Sequence, residues 1–346
     1  MLSLPSQVLL RNTELFEQGT WALVNATDAD IFSHLVGPNI IGLHQQFDIY
    51  QSMYAATPEQ HFFGAHFTTE QITKPLDGIV VYMPKAKQHL DMLLANMAHL
   101  IKPDGLLLVV GENNGGIKSV PKQLEKVGVN INKLDSAKHC ALVACTVASP
   151  TSDFDIEAYS VTRTYQVNEQ SLTVYSLPGV FGHKQFDPGT QLLLQQFSDL
   201  ALLRNMRGKL YDFACGTGII GSYFKLANPK LKVTMSDISA LAVHCTQQTL
   251  ALNSLDARVV ASNGMQEIHE HFDHIVSNPP FHSGLKNEYG ITQNFIKDAH
   301  TKLSKRGTLS MVANRFLPYP EHIEKNYFKF ITMCKTNKFC VYQGLK

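Results

Sequence analysis

Asp273-His274-Ile275-Val276-Ser277-Asn278-Pro279-Pro280-Phe281-His282 is the stretch whose reading decides the fold. An acidic head, a short apolar run and two prolines read as a buried parallel strand that stops abruptly, because proline brings no N–H to a sheet ladder. Asn278 then stands where the chain has just left the sheet. In open α/β sheets ligands bind outside the carboxyl ends of the strands. Asn278 Oδ1 and the Pro279 carbonyl can each accept a hydrogen bond from an exocyclic amine there, and Phe281 can stack on the ring that bears it. A loop closed by two prolines with a capping asparagine fits these ten residues equally well, so the upstream sequence must decide.

Upstream, Lys209-Leu210-Tyr211-Asp212-Phe213-Ala214-Cys215-Gly216-Thr217-Gly218 reads as a strand entering a glycine turn and then a helix. Gly216 and Gly218 let the backbone turn tightly and approach a ligand with no Cβ in the way. Alone, G-x-G belongs to many strand–helix turns. The next strand, Lys232–Asp237, ends in an acid 19 residues after Gly218, where a doubly wound fold places the carboxylate that accepts ribose hydroxyls. Asp237 is also placed to cap the helix that starts near Ser239. Asp212, just before the turn, would repel phosphates but suits ammonium and sulfonium charges, which favours S-adenosylmethionine over a dinucleotide. After Arg258–Ala261, Ser262-Asn263 is the expected polar contact to adenine. In this order and spacing the set is far more specific than any member.

The first half repeats the second. Asp77-Gly78-Ile79-Val80-Val81-Tyr82-Met83-Pro84 lies against Asp273–Pro280, and each run leads to a helix and a turn, Ile101–Gly105 and Leu303–Gly307. Each then gives an apolar strand ending in asparagine, Asn113 or Asn114 in one case and Asn314 in the other. The first copy lacks a glycine-rich turn after its opening strands, and Tyr82-Met83 stand where the second has Asn278-Pro279. It reads as a copy without cofactor site or active site. Ala148–Glu157 is the expected linker.

Composition agrees with this layout. The 346 residues are long enough for two domains, and 44% hydrophobic with 17% charged residues fits a globular chain. Residues 1–160 hold 10 Lys/Arg against 16 Asp/Glu, a net of −6, and residues 161–346 hold 20 against 13, a net of +7. A basic second half suits a polyanionic partner. No apolar run reaches membrane-spanning length, and Arg11, Glu14 and Glu17 occupy the place of a signal-peptide core. The six cysteines form no CxxC pair or zinc spacing, which suggests a reduced, cytoplasmic setting.

Other segments fall into place around these. Trp21–Asn25, Ile40–Leu43, Asp77–Tyr82 and Leu106–Val110 are expected strands, and residues 86–100 an amphipathic helix. Tyr159–Tyr165 and Ser171–Ser176 form an expected hairpin, and Phe330–Thr336 with Phe339–Gln343 another. A helix is expected over Gln191–Met206, capped by Asp187 or Thr190. His269–His274 resembles a metal cluster but lacks ligand spacing, so a solvated loop is expected. Lys286 and Arg315, with Arg204 and Arg207 further off, are candidates for phosphate contacts.

Pro178-Gly179-Val180-Phe181, Asp187-Pro188-Gly189-Thr190-Gln191-Leu192-Leu193, Asn278-Pro279-Pro280-Phe281-His282-Ser283-Gly284 and Phe316-Leu317-Pro318-Tyr319-Pro320 carry a finer likeness. The chain resembles the class I S-adenosylmethionine-dependent methyltransferases with an Asn-Pro-Pro-aromatic motif, and among them the ribosomal RNA small subunit methyltransferase C family. The resemblance spans the whole chain, with its specific motifs in residues 178–320. It implies an α/β protein with a tandem duplicated class I, Rossmann-like methyltransferase fold, a seven-stranded mixed sheet in each half, and a degenerate first half. Residues 1–155 would be the copy without a cofactor site and 156–346 the catalytic domain.

The implied reaction moves a methyl group from S-adenosylmethionine to the exocyclic N2 of a guanine in 16S rRNA, on the 30S subunit, by a monomer in the cytoplasm without metal. Asn278, Pro279 and Phe281 would be catalytic. Asp212, Gly216, Gly218, Asp237, Asn263, Asn278 and Thr190 would hold the cofactor, and Phe281, His282, Lys286 and Arg315 the RNA. Ala214 departs from the family, which usually has glycine there; a tighter turn without lost binding is expected. Three alternatives stay open: a guanine of 23S rRNA, a release-factor glutamine, and a non-catalytic RNA-binding assembly factor.

Overall fold

The computed structural model describes residues 2–35, 37, 39–280 and 286–346, with residues 286–293 described for their backbone alone. The chain separates into two compact units, Met1–Ser160 with Leu177–Gly179, and Val161–Ser176 with Val180–Lys346.

The first unit is built on strands β1 (Thr20–Val24), β2 (Asn39–His44), β3 (His61–Phe63), β4 (Leu76–Tyr82), β5 (Ile101–Glu112), β6 (Val129–Ala137) and β7 (Cys140–Val147). They form one seven-stranded sheet in the order β3-β2-β1-β4-β5-β7-β6, in which β7 alone runs antiparallel to the rest. The continuous apolar run of β4 follows from burial on both faces. Ile79 and Val81 join Leu107 and Val109 under the helix Lys87–Leu100, and Val80 and Tyr82 join Leu108 and Val110 under the helix Leu4–Leu9.

The second unit carries the hairpin β8 (Val161–Val167) and β9 (Gln170–Ser176), then β10 (Lys209–Phe213), β11 (Lys232–Asp237), β12 (Arg258–Ala261), β13 (Phe272–Ser277), β14 (Leu303–Asn314), β15 (Lys329–Lys335) and β16 (Phe339–Leu345). The seven strands β12-β11-β10-β13-β14-β16-β15 repeat the first sheet's order position for position, and again one strand alone, β16, runs antiparallel to the rest. Val276 and Leu210 face Ile220, Tyr223 and Phe224, whereas Ile275 and Tyr211 face Phe295 and Ile296. The duplicated architecture inferred from sequence is therefore present.

The repeat extends to small details. Asp77 Oδ2 accepts the Thr20 N–H at 2.8 Å, and Asp273 Oδ2 accepts the Lys209 N–H at 2.8 Å. Before each clasp sits a glycine with positive φ, Gly19 at +80° and Gly208 at +93°, whose Cβ would fall 2.7 Å or less from the aspartate's carboxyl group. The acidic head of each strand thus closes the sheet onto the preceding strand.

Three sequence expectations need correction. The turns expected near Lys102–Gly105 and Leu303–Gly307 are irregular parts of β5 and β14, marked by positive φ at Asp104 (+62°) and Arg306 (+65°). The strand pairing sets Glu112 opposite Cys140 and Asn314 opposite Phe339, so Glu112 corresponds to Asn314 and Asn113 falls one residue beyond. The helix expected over Gln191–Met206 is two, Pro188–Gln195 and Leu200–Asn205. Asp199 Oδ1 accepts the N–H groups of Ala201 and Leu202 and so starts the second one afresh. Strands β3, β6 and β7 add to those expected, and of these β7 is an apolar, almost fully buried run.

Candidate active site

The site begins at the carboxyl end of β10. Ala214 (φ +55°), Gly216 (φ +57°) and Gly218 (φ +77°) turn the chain into the helix Ile219–Ala227. Two different reasons require the glycines. A Cβ on Gly218 would lie 2.8 Å from Thr246 Cγ2, whereas one on Gly216 would meet nothing nearer than the Phe181 carbonyl at 3.8 Å. Gly218 is needed for space, and Gly216 for its left-handed backbone. Thr246 Oγ1 donates to the Gly216 carbonyl at 3.1 Å and lies 3.2 Å from Cys215 Sγ, and Cys215 N–H donates to Ser236 O at 2.9 Å. Cys215 is thereby packed under the turn, and burial holds its thiol well above the usual range.

Asp237, half-buried at the end of β11, accepts the Gly216 N–H on Oδ2 and the Ser239 N–H on Oδ1, both at 3.0 Å. It therefore ties the turn to the start of the helix Ala240–Leu252 and keeps lone pairs for further donors. Burial pushes its pKa up. Asn263 follows β12 at the neighbouring strand end, and the Ser262 N–H bonded to Asp237 O at 3.0 Å holds the two ends together.

Asp212 occupies a different place from the one its sequence position suggests. Its carboxyl group is fully buried and does not line the cleft. Oδ2 accepts the Gly221 N–H at 2.8 Å, and Oδ1 has no hydrogen-bond partner. Burial raises its pKa to about 8, partly offset by the Gly221 bond. It sits behind the turn because residue 212 points into the face covered by the helix Ile219–Ala227.

Asn278 leaves β13 beside this turn. Ser277 Oγ, just before it, donates to the Phe213 carbonyl at 2.8 Å and fixes the strand end against β10. Asn278 Nδ2 donates to Asp187 Oδ2 at 2.9 Å and to Thr190 Oγ1 at 2.8 Å. Asp187 is the cap of the helix Pro188–Gln195, its Oδ2 accepting the Thr190 N–H at 2.7 Å. Asp187, Thr190, Ala214, Gly216, Phe181 and Asn278 share one cleft that is open to solvent. Pro279 is buried and Pro280 exposed.

The remaining candidates are scattered. Phe281 and His282 lie outside the described residues, as does the side chain of Lys286, which opens the helix Lys286–Lys302. Arg315 is exposed one residue beyond β14, its N–H bonded to the Lys338 carbonyl at 2.8 Å. Arg207 bonds the carbonyls of Arg204 and Met206. In the histidine-rich run, Glu270 accepts from Arg258, Thr234 and Lys209. Sequence reasoning missed two cleft residues. Phe181, 60% exposed, was noticed only as part of a motif, and Asp187 only as a cap. No local pattern links Asp187 to an amide 91 residues away.

Residues 6–163 match the model of the Methyltransferase small domain N-terminal family, and residues 171–343 that of the Methyltransferase small domain family. Ribosomal RNA small subunit methyltransferase C of Pseudoalteromonas atlantica is 46% identical over 99% of both chains. The protein of that name from Alteromonas mediterranea is 39% identical over 99% of both. The chain belongs to the ribosomal RNA small subunit methyltransferase C family. Among solved structures, the T. thermophilus 16S rRNA N2 methyltransferase (RsmC), in complex with AdoMet and guanosine, superposes with a TM-score of 0.84 at 20% identity. That match covers 99% of this chain and 92% of the other, so the family's duplicated fold is present from end to end. Among the described residues, no helix is long and apolar enough to cross a membrane.

Proposed function

We propose that this chain transfers a methyl group from S-adenosylmethionine to the exocyclic N2 of a guanine in 16S rRNA, acting on the 30S subunit in the cytoplasm as a monomer without metal. The observation that carries the reading is Asn278, held by Asp187 and Thr190 in the same cleft as the glycine turn. The names of the family's members and the guanosine bound to the T. thermophilus protein support the choice of substrate.

The residues suit this cosubstrate. Gly216 presents backbone to open space, Asp237 keeps acceptor capacity at the end of β11, and Asn263 stands at the end of β12. Gly216, Gly218 and Thr190 would hold the amino-acid part, Asp237 the ribose and Asn263 the adenine. Asp212, behind the turn, would act through its hold on the Gly221 N–H. When bound, S-adenosylmethionine supplies a methyl group on a sulfonium, whose C–S bonding pair leaves with sulfur as a neutral thioether.

Guanine N2 is a poor nucleophile because its lone pair is delocalised into the ring. Asn278 Oδ1 and the Pro279 carbonyl would accept its two hydrogens, localise the lone pair and aim it. As the N–C bond forms, N2 gains a positive charge and releases one proton to water. Such orientation can contribute up to roughly 7–11 kcal/mol, and no covalent nucleophile is needed. Phe281 would stack on the extruded base, with His282, Lys286 and Arg315 on RNA. Residues 1–155 would support the catalytic half, residues 156–346, rather than bind cofactor.

Labelled S-adenosylmethionine incubated with unmethylated 30S, 50S and naked rRNA tests the proposal. N2-methylguanosine confined to 30S is expected. Label in 50S alone would move the substrate to 23S rRNA, and cofactor binding without label would refute an RNA substrate.

A further inference from the structure

Asp187 does more than begin a helix. One oxygen, Oδ2, accepts both the Thr190 N–H at 2.7 Å and Asn278 Nδ2 at 2.9 Å. The second hydrogen of Nδ2 goes to Thr190 Oγ1 at 2.8 Å. An ionised carboxylate only accepts, so the Asn278 amide has one orientation: its NH2 toward Asp187 and its Oδ1 away.

The first unit is a natural control. There Ser3 caps the corresponding helix Leu4–Leu9, its Oγ accepting the Ser6 N–H at 3.3 Å. Ser6 stands where Thr190 does, and its Oγ lies 2.8 Å from the hydroxyl of Tyr82, the residue at the Asn278 position. Asp28 Oδ2 also accepts the Ser6 hydroxyl at 2.7 Å and the Ser3 N–H at 3.1 Å, but it stands outside the cap, so serine suffices at the cap position where no amide needs holding. The carboxylate at 187 has a purpose other than the cap.

We infer that Asp187, seconded by Thr190, is the positioning residue that sets the Asn278 amide so that Oδ1 faces the substrate amine. This rests on the reading of Asn278 as the acceptor of that amine. The substitution that separates the two roles of Asp187 is Asp187→Ser, which keeps the cap and is too short to reach Asn278. Asp187→Asn retains a side-chain oxygen able to accept both bonds.

The test uses the full-length chain, with S-adenosylmethionine affinity by calorimetry, melting temperature, and kcat and KM on 30S particles. Asp187→Ser is expected to leave affinity, melting and KM within about twofold and to lower kcat by about tenfold or more, the loss of one charge-assisted hydrogen bond. Asp187→Asn should recover most of that kcat. Three results would overturn the proposal: unchanged kcat in Asp187→Ser, weakened cofactor binding with kcat intact, or no recovery in Asp187→Asn. Asn278→Ala separates the levels. If it turns over normally, the amine-acceptor reading itself fails; if it is inactive while Asp187→Ser is normal, only the positioning role fails.

Discussion

The two halves share one topology and differ at a handful of strand ends. Strand pairing sets Leu23 at the place of Asp212, His44 at that of Asp237 and Tyr82 at that of Asn278. All three first-half residues are buried and turned to packing. Leu23 is fully covered, His44 Nε2 meets His61 Nδ1 at 2.8 Å, and the Tyr82 hydroxyl pairs with Ser6. Asn25, at the place of Ala214, fastens itself to Gln45 instead of opening a glycine turn. Apolar alternation and the Asp77 and Asp273 clasps specify the sheet in both halves, while the chemistry resides in what stands at the carboxyl ends. A fold can thus be kept whole while its site is replaced by packing.

The sharpest test of this difference is Asn278→Ala. Turnover should fall by about 10²–10³-fold, the scale of losing a preorganised polar contact to the reacting group, with S-adenosylmethionine affinity within a few-fold of the parent. Single-turnover methyl transfer beside calorimetric binding checks it, and near-normal turnover would remove the asymmetry between halves. Next in size is Gly218→Ala. Its Cβ would lie 2.8 Å from Thr246 Cγ2 and would hold a positive φ of 77°, a combined cost of about 2–4 kcal/mol from overpacking and left-handed strain. Cofactor affinity and melting temperature should fall together; a variant that loses neither would mean that Thr246 does not confine the turn.

The halves should also respond to pH in opposite senses. Burial lowers His44 to about 3 and His61 to about 4 from 6.5, so the folded first half resists protons that its unfolded chain takes up. Its stability is complete above pH 6.5 and is lost as pH falls toward 4. Asp212 is raised from 3.8 to about 8, and Asp237 is pushed the same way. The Asp212 contribution is complete below pH 3.8 and is lost as pH rises through about 8. Hydrogen exchange on the ligand-free chain, corrected for intrinsic rates, should show β1 and β2 losing protection between pH 7 and 5 while β10 and the helix Ile219–Ala227 gain it. Asp212→Asn should flatten the second trend and leave the first; parallel trends in the two halves would contradict the assignment.

Much of this was legible in the sequence because it was written in local pattern. The duplicated sheet follows from matched apolar runs with acidic heads, and the turn, Asp237, Asn263 and Asn278 from the order of strand ends. What escaped is long-range or compensated. Asp187 reaches Asn278 through tertiary packing alone, with no period or spacing to announce it. Asp212 reads as a ligand-facing acid, yet strand alternation sends it under a helix, where its Oδ1 has no partner. Strand β6 is polar and mostly exposed and meets a turn at Lys138 and His139, both at positive φ, so only pairing with β7 makes it a strand.

The smallest expected effect tests the comparison most finely, because it asks for opposite signs at one backbone position. Ala214 and Asn25 share a left-handed backbone, with φ of +55° and +56°. Alanine there costs about 1–2 kcal/mol, and glycine would relieve that while losing about 0.4–1 kcal/mol through a freer unfolded chain. Ala214→Gly should therefore stabilise by about 0.5–1 kcal/mol, a rise of a few degrees at most, with cofactor binding retained. Asn25 has already offset the strain, its side chain donating to Gln45 Oε1 and accepting the Gln45 N–H, both at 2.8 Å. Asn25→Gly forfeits both bonds, about 1 kcal/mol each, and should destabilise. Thermal unfolding of the two variants under one condition decides the matter: if both move the same way, the turn of the second half is not the strained counterpart of a bonded one in the first.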